Sequence, residues 1–410
     1  MSAHSTILEV FTEDNATGVA LKNKALKRAI INYLDQHGET TITELTQELN
    51  ISIPKTTSLI NELMVEELIR DYGKIDSTGG RRASLYGLAP EAAYFIGVDI
   101  KRYYINIGLL DFKKNLVSVN KQIPYQLENT EESYQELLRI IRNFINTMPV
   151  AKEKVLALGI NIAGRINTAT GFNFNFFHFH EESLSTTLEK ELGIRTYLEN
   201  DARSAAFGEM SNGVVTTEKN VLYVYLDYGI GMGIFIDGKL YYGKSGYSGE
   251  FGHIPIFYNE IICHCGKKGC LETEASGQAL VKLFREKIEQ GSSSVLLKKL
   301  KGMDELRLRD IVDAAQKEDV LSIELIAAIG EKIGKALAIL INIFNPEMVI
   351  LGGTMAETGD YIRLPIRSAL NKYSLSLVNS DSTLALSVLG EDAGVIGGCL
   401  IARSKLLRTI

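Results

Sequence analysis

Gly249-Glu250-Phe251-Gly252-His253, and then Cys263-His264-Cys265-Gly266-Lys267-Lys268-Gly269-Cys270-Leu271-Glu272, is the stretch from which the rest of the chain is read. Three of the four cysteines fall within it, among glycines that permit the tight turns of a metal loop. Zinc favours four tetrahedral thiolate and imidazole ligands, and His253, Cys263, Cys265 and Cys270 supply a Cys3His set unaided. No position is left for water, so the expected zinc ion is structural, fixing the loop that carries Glu250 and Glu272. His264 is a second imidazole in the same loop and an alternative to His253. Clustered thiols without a metal, or a disulfide, are the competing readings, and the scarcity of cysteine elsewhere argues against both.

The ordered run Gly-Glu-Phe-Gly-His, then Cys-x-Cys-Gly-x-x-Gly-Cys-x-Glu, resembles the signature of the ROK family of repressors and sugar kinases, and the resemblance covers nearly the whole chain. It implies an α/β fold: a two-lobed, actin-like (ribonuclease-H-like) sugar-kinase fold, preceded in the repressors by an N-terminal winged helix-turn-helix.

Length and composition fit that reading. A chain of 410 residues can hold two or three cores, and 45% hydrophobic with 23% charged residues is ordinary for a globular protein. No apolar run approaches the roughly 20 residues needed to span a bilayer, and Met1 to Asn15 lacks a signal-peptide pattern. A cytoplasmic protein without a membrane partner is expected, which also suits reduced thiols. The net charge of -6 does not advertise nucleic-acid binding, so any DNA contact has to come from a local basic patch.

Residues up to about Val19 are polar and without period, and read as a flexible arm or lead-in. Leu26, Ile30 and Leu34 mark an amphipathic helix over Leu21 to Gln36. Thr41 and Glu44 form a capping box for a second helix, and Ser52 with Pro54 opens a third. The first turn of that third helix presents Lys55, Thr56, Thr57 and Ser58, short polar groups and a lysine suited to base edges and phosphates. Leu68 to Tyr72 and Arg82 to Leu88 read as two strands of a wing whose tip places Arg81 and Arg82 toward a DNA backbone or minor groove. The alternative is a protein-interaction module, since the first ninety residues are not net basic. The segment resembles the winged helix of ROK repressors, which the ROK sugar kinases normally lack.

From Ala93 onward, three strands (Phe95 to Ile100, Tyr104 to Leu110, Leu116 to Ile123) precede alternating helices and strands, and a second such start follows at Val221 to Tyr242. Two related α/β lobes are expected. The resulting division is a winged helix-turn-helix at 1–88, a first lobe at 89–212, a second lobe with the zinc loop at 213–393, and a last helix at 394–410 that, by the resemblance, packs back on the first lobe. Cys399 sits in an apolar run and reads as a core residue.

The resemblance places a sugar between the lobes. Glu199-Asn200-Asp201-Ala202 is similar to the family's Glu-Asn-Asp-Ala segment, in which Asn and Asp bind sugar hydroxyls and the Asp is the catalytic base of the kinases. Glu250, His253 and Glu272 fall at the other sugar contacts, with His253 bridging zinc and sugar. Helix capping is the competing role for Asn200 and Asp201. Phe177-His178 stands where the family usually has Pro-Asn, so His178 is expected to take that sugar contact or to mark a different preferred sugar.

The kinases cradle ATP with an Asp-x-Gly-Gly-Thr turn and a Gly-Thr-Gly-x-Gly-Gly-Gly loop. Here the first is Asp99-Ile100-Lys101-Arg102-Tyr103, without either glycine. The second is Asp227-Tyr228-Gly229-Ile230-Gly231-Met232-Gly233, with a carboxylate and a phenol at its head. Such loops repel or exclude a triphosphate, so no ATP and no catalytic role are expected although Asp201, the kinase-base equivalent, is kept. The expected protein is a repressor of carbohydrate-metabolism genes that binds a double-stranded DNA operator as a homodimer or dimer of dimers and responds to a sugar or sugar phosphate. The alternatives are an active ATP-dependent sugar kinase with an accessory winged helix, and a binding scaffold.

Overall fold

Three helices open the chain: α1 (Val19–His37), α2 (Ile42–Glu48) and α3 (Ile53–Val65). In this computed structural model the described residues are 10–11, 18–74, 83–298, 302 and 305–408. Ile30, Ile31 and Leu34 form the buried stripe of α1, and Gly38 ends it at φ 79°, where a side chain would be strained. Thr41 caps α2 by accepting from the Glu44 N–H at 3.2 Å while Glu44 accepts from the Thr41 N–H at 3.0 Å, the capping box expected from the sequence. Pro54 lies in the first turn of α3, but Ser52 makes no side-chain cap there. β1 (Ile69–Lys74) pairs antiparallel with β2 (Ser84–Leu88). The wing tip between them, including Arg81 and Arg82, lies outside the described residues. The polar lead-in is not wholly an arm: Val10 and Phe11 are buried, and the Arg28 guanidinium lies over the Phe11 ring.

β3 (Tyr94–Ile100), β4 (Tyr104–Asp111) and β5 (Leu116–Pro124) are an antiparallel meander, which β3 extends in parallel to β6 (Val155–Ile162) and β9 (Arg195–Asn200). The five strands run in the order β5-β4-β3-β6-β9. A small hairpin of β7 (Ile166–Asn167) and β8 (Phe172–Asn173) projects beyond β6. The second sheet repeats the plan as β12-β11-β10-β13-β14, from β10 (Val221–Leu226), β11 (Ile230–Ile236), β12 (Lys239–Leu240), β13 (Met348–Gly352) and β14 (Thr383–Leu386). β6 and β10 are buried along their whole length, as central strands covered on both faces are.

Helices α4 (Glu131–Thr147), α5 (Leu184–Leu192) and α6 (Asp201–Asn212) accompany the first sheet in sequence. α7 (Glu272–Ala275), α8 (Gly277–Glu289), α9 (Leu308–Ala315), α10 (Val320–Phe344), α11 (Asp360–Tyr373) and α12 (Ser376–Asp381) accompany the second. The last helix, α13 (Asp392–Leu407), returns to the first sheet. It lies so close that a Cβ on Gly97 would stand 2.1 Å from the Val395 carbonyl oxygen, and one on Gly159 2.1 Å from that of Gly398. Cys399 is buried within this contact. The apolar core of the winged helix runs on without a break into α13 and the neighbouring strands, so the two parts share one core.

α11 and β14 were not legible in the sequence. Pro365 lies inside α11 and argues against a helix there, yet α11 packs on α10 at Gly330 and Gly334, where a Cβ would stand 3.1 and 2.7 Å from the carbonyl oxygens of Ile362 and Ile366.

Candidate functional site

The metal loop begins just after β12 and returns through two short bridges, Pro255 to Cys270 and Ile262 to Lys268, that bring its ends together. Ligand atoms of His253, Cys263, Cys265 and Cys270 all lie within 4.8 Å of one another. Cys263 Sγ is 3.6 Å from His253 Nδ1, and Cys265 Sγ is 3.7 Å from Cys270 Sγ. Tetrahedral zinc with ordinary bond lengths sets such ligands about 3.5 Å (S to N) and about 3.8 Å (S to S) apart, so the donor set fits that ion. The other ring nitrogen, His253 Nε2, faces Glu250 Oε2 at 3.7 Å. His264 is mostly exposed and its Nδ1 meets Glu272 Oε1 at 3.1 Å, although the same atom is 3.7 Å from Cys263 Sγ. Glu272 also accepts from the Ile230 N–H at 3.1 Å, which ties the metal loop to β11.

On the first lobe, β9 runs straight into α6 at Glu199-Asn200-Asp201. Asn200, not Asp201, is the helix cap: its Oδ1 accepts from the N–H groups of Ala202 and Arg203 at 3.1 and 3.2 Å, and its Nδ2 donates to the Gly164 carbonyl at 3.3 Å. Much of its hydrogen-bonding capacity is therefore spent locally. Asp201 keeps one carboxylate oxygen clear of these bonds, and burial raises its carboxyl to about 6 against the pull of Lys101. Beneath them Glu199, 1% exposed, accepts from Arg203 Nε at 2.8 Å and, across the lobes, from the Tyr242 hydroxyl at 3.1 Å.

The aromatic loop after β8 does not bring His178 into this group. His178 is exposed, and it is His180 that packs in the loop, 4.9 Å from the Tyr134 ring. Asn175 lies there instead: its Oδ1 accepts from the Arg165 N–H at 2.9 Å and sits against Gly164, whose carbonyl holds Asn200. Sequence reading did not single out Asn175, three positions before His178. The signal was present in Asn173-Phe174-Asn175, two short amides spaced by one aromatic, each aimed back at the chain.

Across the cleft, the turn at Lys101-Arg102-Tyr103 reaches from the first lobe into the second. Lys101 pairs with Asp99 at 2.8 Å and donates to the Tyr225 hydroxyl, above whose ring it lies at 4.7 Å. Burial alone would lower its pKa, but Asp99, Asp227 and further anionic groups hold it up. Arg102 lies over the Tyr228 ring at 5.5 Å, Tyr103 meets the same ring edge-on at 6.0 Å, and Arg307 covers Tyr103 at 4.6 Å. Asp227 accepts from the Thr354 hydroxyl at 2.8 Å and from the Tyr228 N–H at 2.7 Å. The space left among Lys101, Tyr225, Asp227 and Thr354 is about 10 Å³, room for a single water. Gly231 and Gly233 serve packing: a Cβ there would stand 2.5 Å from that of Ala202 and 2.2 Å from that of Ala206 on α6.

At the start of α3, Lys55 and Thr57 are half-buried and Ser58 is exposed. Thr56 is a correction. It is fully buried, donates to the Ser52 carbonyl at 3.1 Å and meets Thr46 Oγ1 of α2 at 3.0 Å. It shares the stripe of Leu59, Ile60 and Leu63, so it fastens α3 to α2 and cannot reach a base.

With this geometry in view, comparisons with known proteins agree across the chain. Residues 95–405 match the ROK family, and residues 24–70 match a winged helix-turn-helix DNA-binding domain. The chain is 28% identical to the xylose repressor of Bacillus subtilis over 86% of its own length and 88% of the repressor's. It is 27% identical to the DNA-binding transcriptional dual regulator NagC of Escherichia coli over 92% of each. Among solved structures, a ROK family transcriptional regulator homologous to the E. coli MLC protein superposes with a TM-score of 0.76 at 26% identity, covering 94% of this chain and 97% of the regulator. A ROK family glucokinase from Streptomyces griseus, solved with glucose and AMPPNP, superposes with a TM-score of 0.67 at 28% identity, covering 76% of this chain and all of the kinase.

Proposed function

We propose, from the premise that the chain belongs to the ROK family, that it is a sugar-responsive, DNA-binding transcriptional repressor of carbohydrate-metabolism genes whose kinase-like body binds an effector and phosphorylates nothing. The observation that carries the regulatory part is the winged helix continuous in one core with a sugar-kinase fold, an arrangement shared over nearly full length with proteins named as repressors. The body supplies the sensor. Asp201, Glu250 and His253 offer acceptors and a donor to vicinal hydroxyls, and Asn175 adds an amide in the place first assigned to His178; a site built for hydroxyls rejects ligands without them. Asn200 and Glu272 contribute by holding the α6 start and the metal loop.

Zinc on His253, Cys263, Cys265 and Cys270 would bind thiolates and fix the loop without an open position for chemistry. His253 then presents Nε2 toward the sugar side while Nδ1 faces the metal. For the nucleotide, Lys101 and Asp227 belong to the two segments that resemble the kinases' phosphate loops in sequence, and a carboxylate beside a triphosphate repels it.

Sugar binding favours one closure of the lobes, which sets the spacing of two winged helices in a homodimer or dimer of dimers and so their fit to a two-fold operator. Lys55, Thr57 and Ser58 face the DNA in this account, with Arg81 and Arg82 at the wing. Titration calorimetry with monosaccharides and with magnesium ATP tests the sensor: heat with a sugar and none with ATP is expected. A sugar phosphate formed from ATP overturns the reading in favour of the kinase, which the retention of Asp201 with its raised carboxyl keeps as the second candidate.

A further inference from the structure

α13 touches three parts of the molecule that the functional reading needs to connect. Its start lies between the lobes, where Glu391, the residue before it, meets Arg309 of the second lobe at 2.8 Å and Asp392 meets Lys121 of the first at 2.8 Å. One turn on, the Gly394 carbonyl accepts from Asn161 Nδ2 at 2.6 Å, and Gly397 lies against the Ser204 backbone of α6. Near its end, Arg403 and Lys405 point to opposite sides, since two residues turn an α-helix by about 200°. Arg403 reaches α1 of the winged helix, donating to Asp35 at 2.8 and 3.1 Å, and Lys114 joins the same carboxylate at 3.0 Å. Lys405 faces Glu199 at 3.8 Å, directly beneath Asn200 and Asp201.

Glu199 is where the two lobes and α13 meet. It is bonded to Arg203 of α6 and to Tyr242 of the second lobe, so a change in lobe closure that moves Tyr242 acts on the one carboxylate that Lys405 faces. Gly97, Gly159, Gly208 and Gly397 bring backbone against backbone along α13, while Gly394 and Gly398 close on the side chains of Asp99 and Asn161, and such packing transmits a shift instead of absorbing it. The winged helix is fastened at the far end by a bidentate ion pair between buried Arg403 and partly buried Asp35, a geometry that fixes orientation as well as distance.

We infer that α13 is the element that carries the sugar signal to the DNA-binding unit, and that the Arg403–Asp35 pair is the positioning contact at which the winged helix takes up its orientation. This rests on the repressor reading. Arg403 touches neither DNA nor sugar, so its role is read in the coupling between the two and not in either affinity alone.

The test is the affinity of the full-length protein for its selected DNA site, with and without its sugar, for the wild type, Asp35→Asn, Arg403→Lys and the double variant. Couplings between distant sites are typically about 5- to 150-fold. The wild type is expected to show a sugar-dependent ratio in that range. Asp35→Asn, which keeps size and shape, is expected to bring the ratio to within about twofold of unity while sugar affinity stays within about twofold of the wild type. Arg403→Lys, which keeps the charge but not the bidentate geometry, is expected to lie between them. A wild type that responds and an Asp35→Asn protein that responds equally overturns the inference alone. A wild type whose DNA affinity no sugar alters overturns the functional reading and this inference with it. Sugar affinity lost in the Asp35→Asn protein also counts against a positioning role.

Discussion

Arg403 donates to both carboxylate oxygens of Asp35, at 2.8 and 3.1 Å, and joins the last helix of the chain to the first helix of the winged domain across 368 positions of sequence. Arg403 is 2% exposed, also donates to the Phe112 carbonyl at 3.3 Å, and lies over the Phe112 ring. Removing the guanidinium leaves a partly buried carboxylate with Lys114 as its other cation. Arg403→Met is therefore expected to lose on the order of 3 kcal/mol in denaturant unfolding followed at the winged helix. An unchanged midpoint would mean that the pair is not buried in solution.

The metal loop makes a compositional prediction. The purified protein is expected to hold one zinc per chain by elemental analysis, to release it on prolonged chelation, and to lack it as Cys263→Ser. Zinc retained in His253→Ala but lost from His264→Ala would move the fourth ligand from His253 to His264.

The sugar site predicts a pH dependence. In the proposed sugar site Asp201 would accept from a hydroxyl as the carboxylate, and burial raises its pKa to about 6. Sugar affinity is expected to level off above that pH and to fall about tenfold for each unit below it, and Asp201→Asn is expected to bind weakly and without that slope. For stability the sign is opposite. The folded-state value lies above the ordinary 3.8, so this group's contribution is full below that value and is lost as pH rises through about 6. Calorimetry across pH 5 to 8 checks the first statement, and a flat profile contradicts it.

Glycines 231 and 233 separate packing from phosphate binding. Gly233→Ala puts a methyl group where the structure leaves 2.2 Å to Ala206, and is expected to lower stability by about 1–3 kcal/mol in thermal unfolding. A phosphate-cradle glycine in an open loop would tolerate the change in the absence of nucleotide.

At the DNA face, Lys55→Ala is expected to weaken binding about equally across sequences and to reduce the slope of log affinity against log salt by about one, the sign of a phosphate contact. Thr56→Val should instead act through the contact of α3 with α2, changing stability before specificity.

The fold was legible wherever pattern and geometry coincide. The capping box at Thr41, the full-length apolar strands such as Val155–Ile162, and the repeated three-strand start of each lobe all lie where the residues place them. The clustering of His253, Cys263, Cys265 and Cys270 was legible because cysteine is scarce and their spacing is tight. What failed to show was decided by partners far away in sequence. Pro365 hid a helix that α10 makes room for with Gly330 and Gly334. Thr56 looks like a base-reading residue until its place on the Leu59 and Leu63 stripe is counted. His178 was placed by motif position, but the loop turns so that Asn175 meets Gly164. The contact of Lys101 with Tyr225 joins residues 124 positions apart, and nothing local announces it.

The central claim is that one chain reads DNA and answers to a sugar. Selection of genomic fragments by the purified protein, repeated with a panel of sugars and sugar phosphates, tests it most directly. The account predicts enrichment of a two-fold site whose retention one of these compounds strengthens or abolishes, and no selected site under any condition would contradict it.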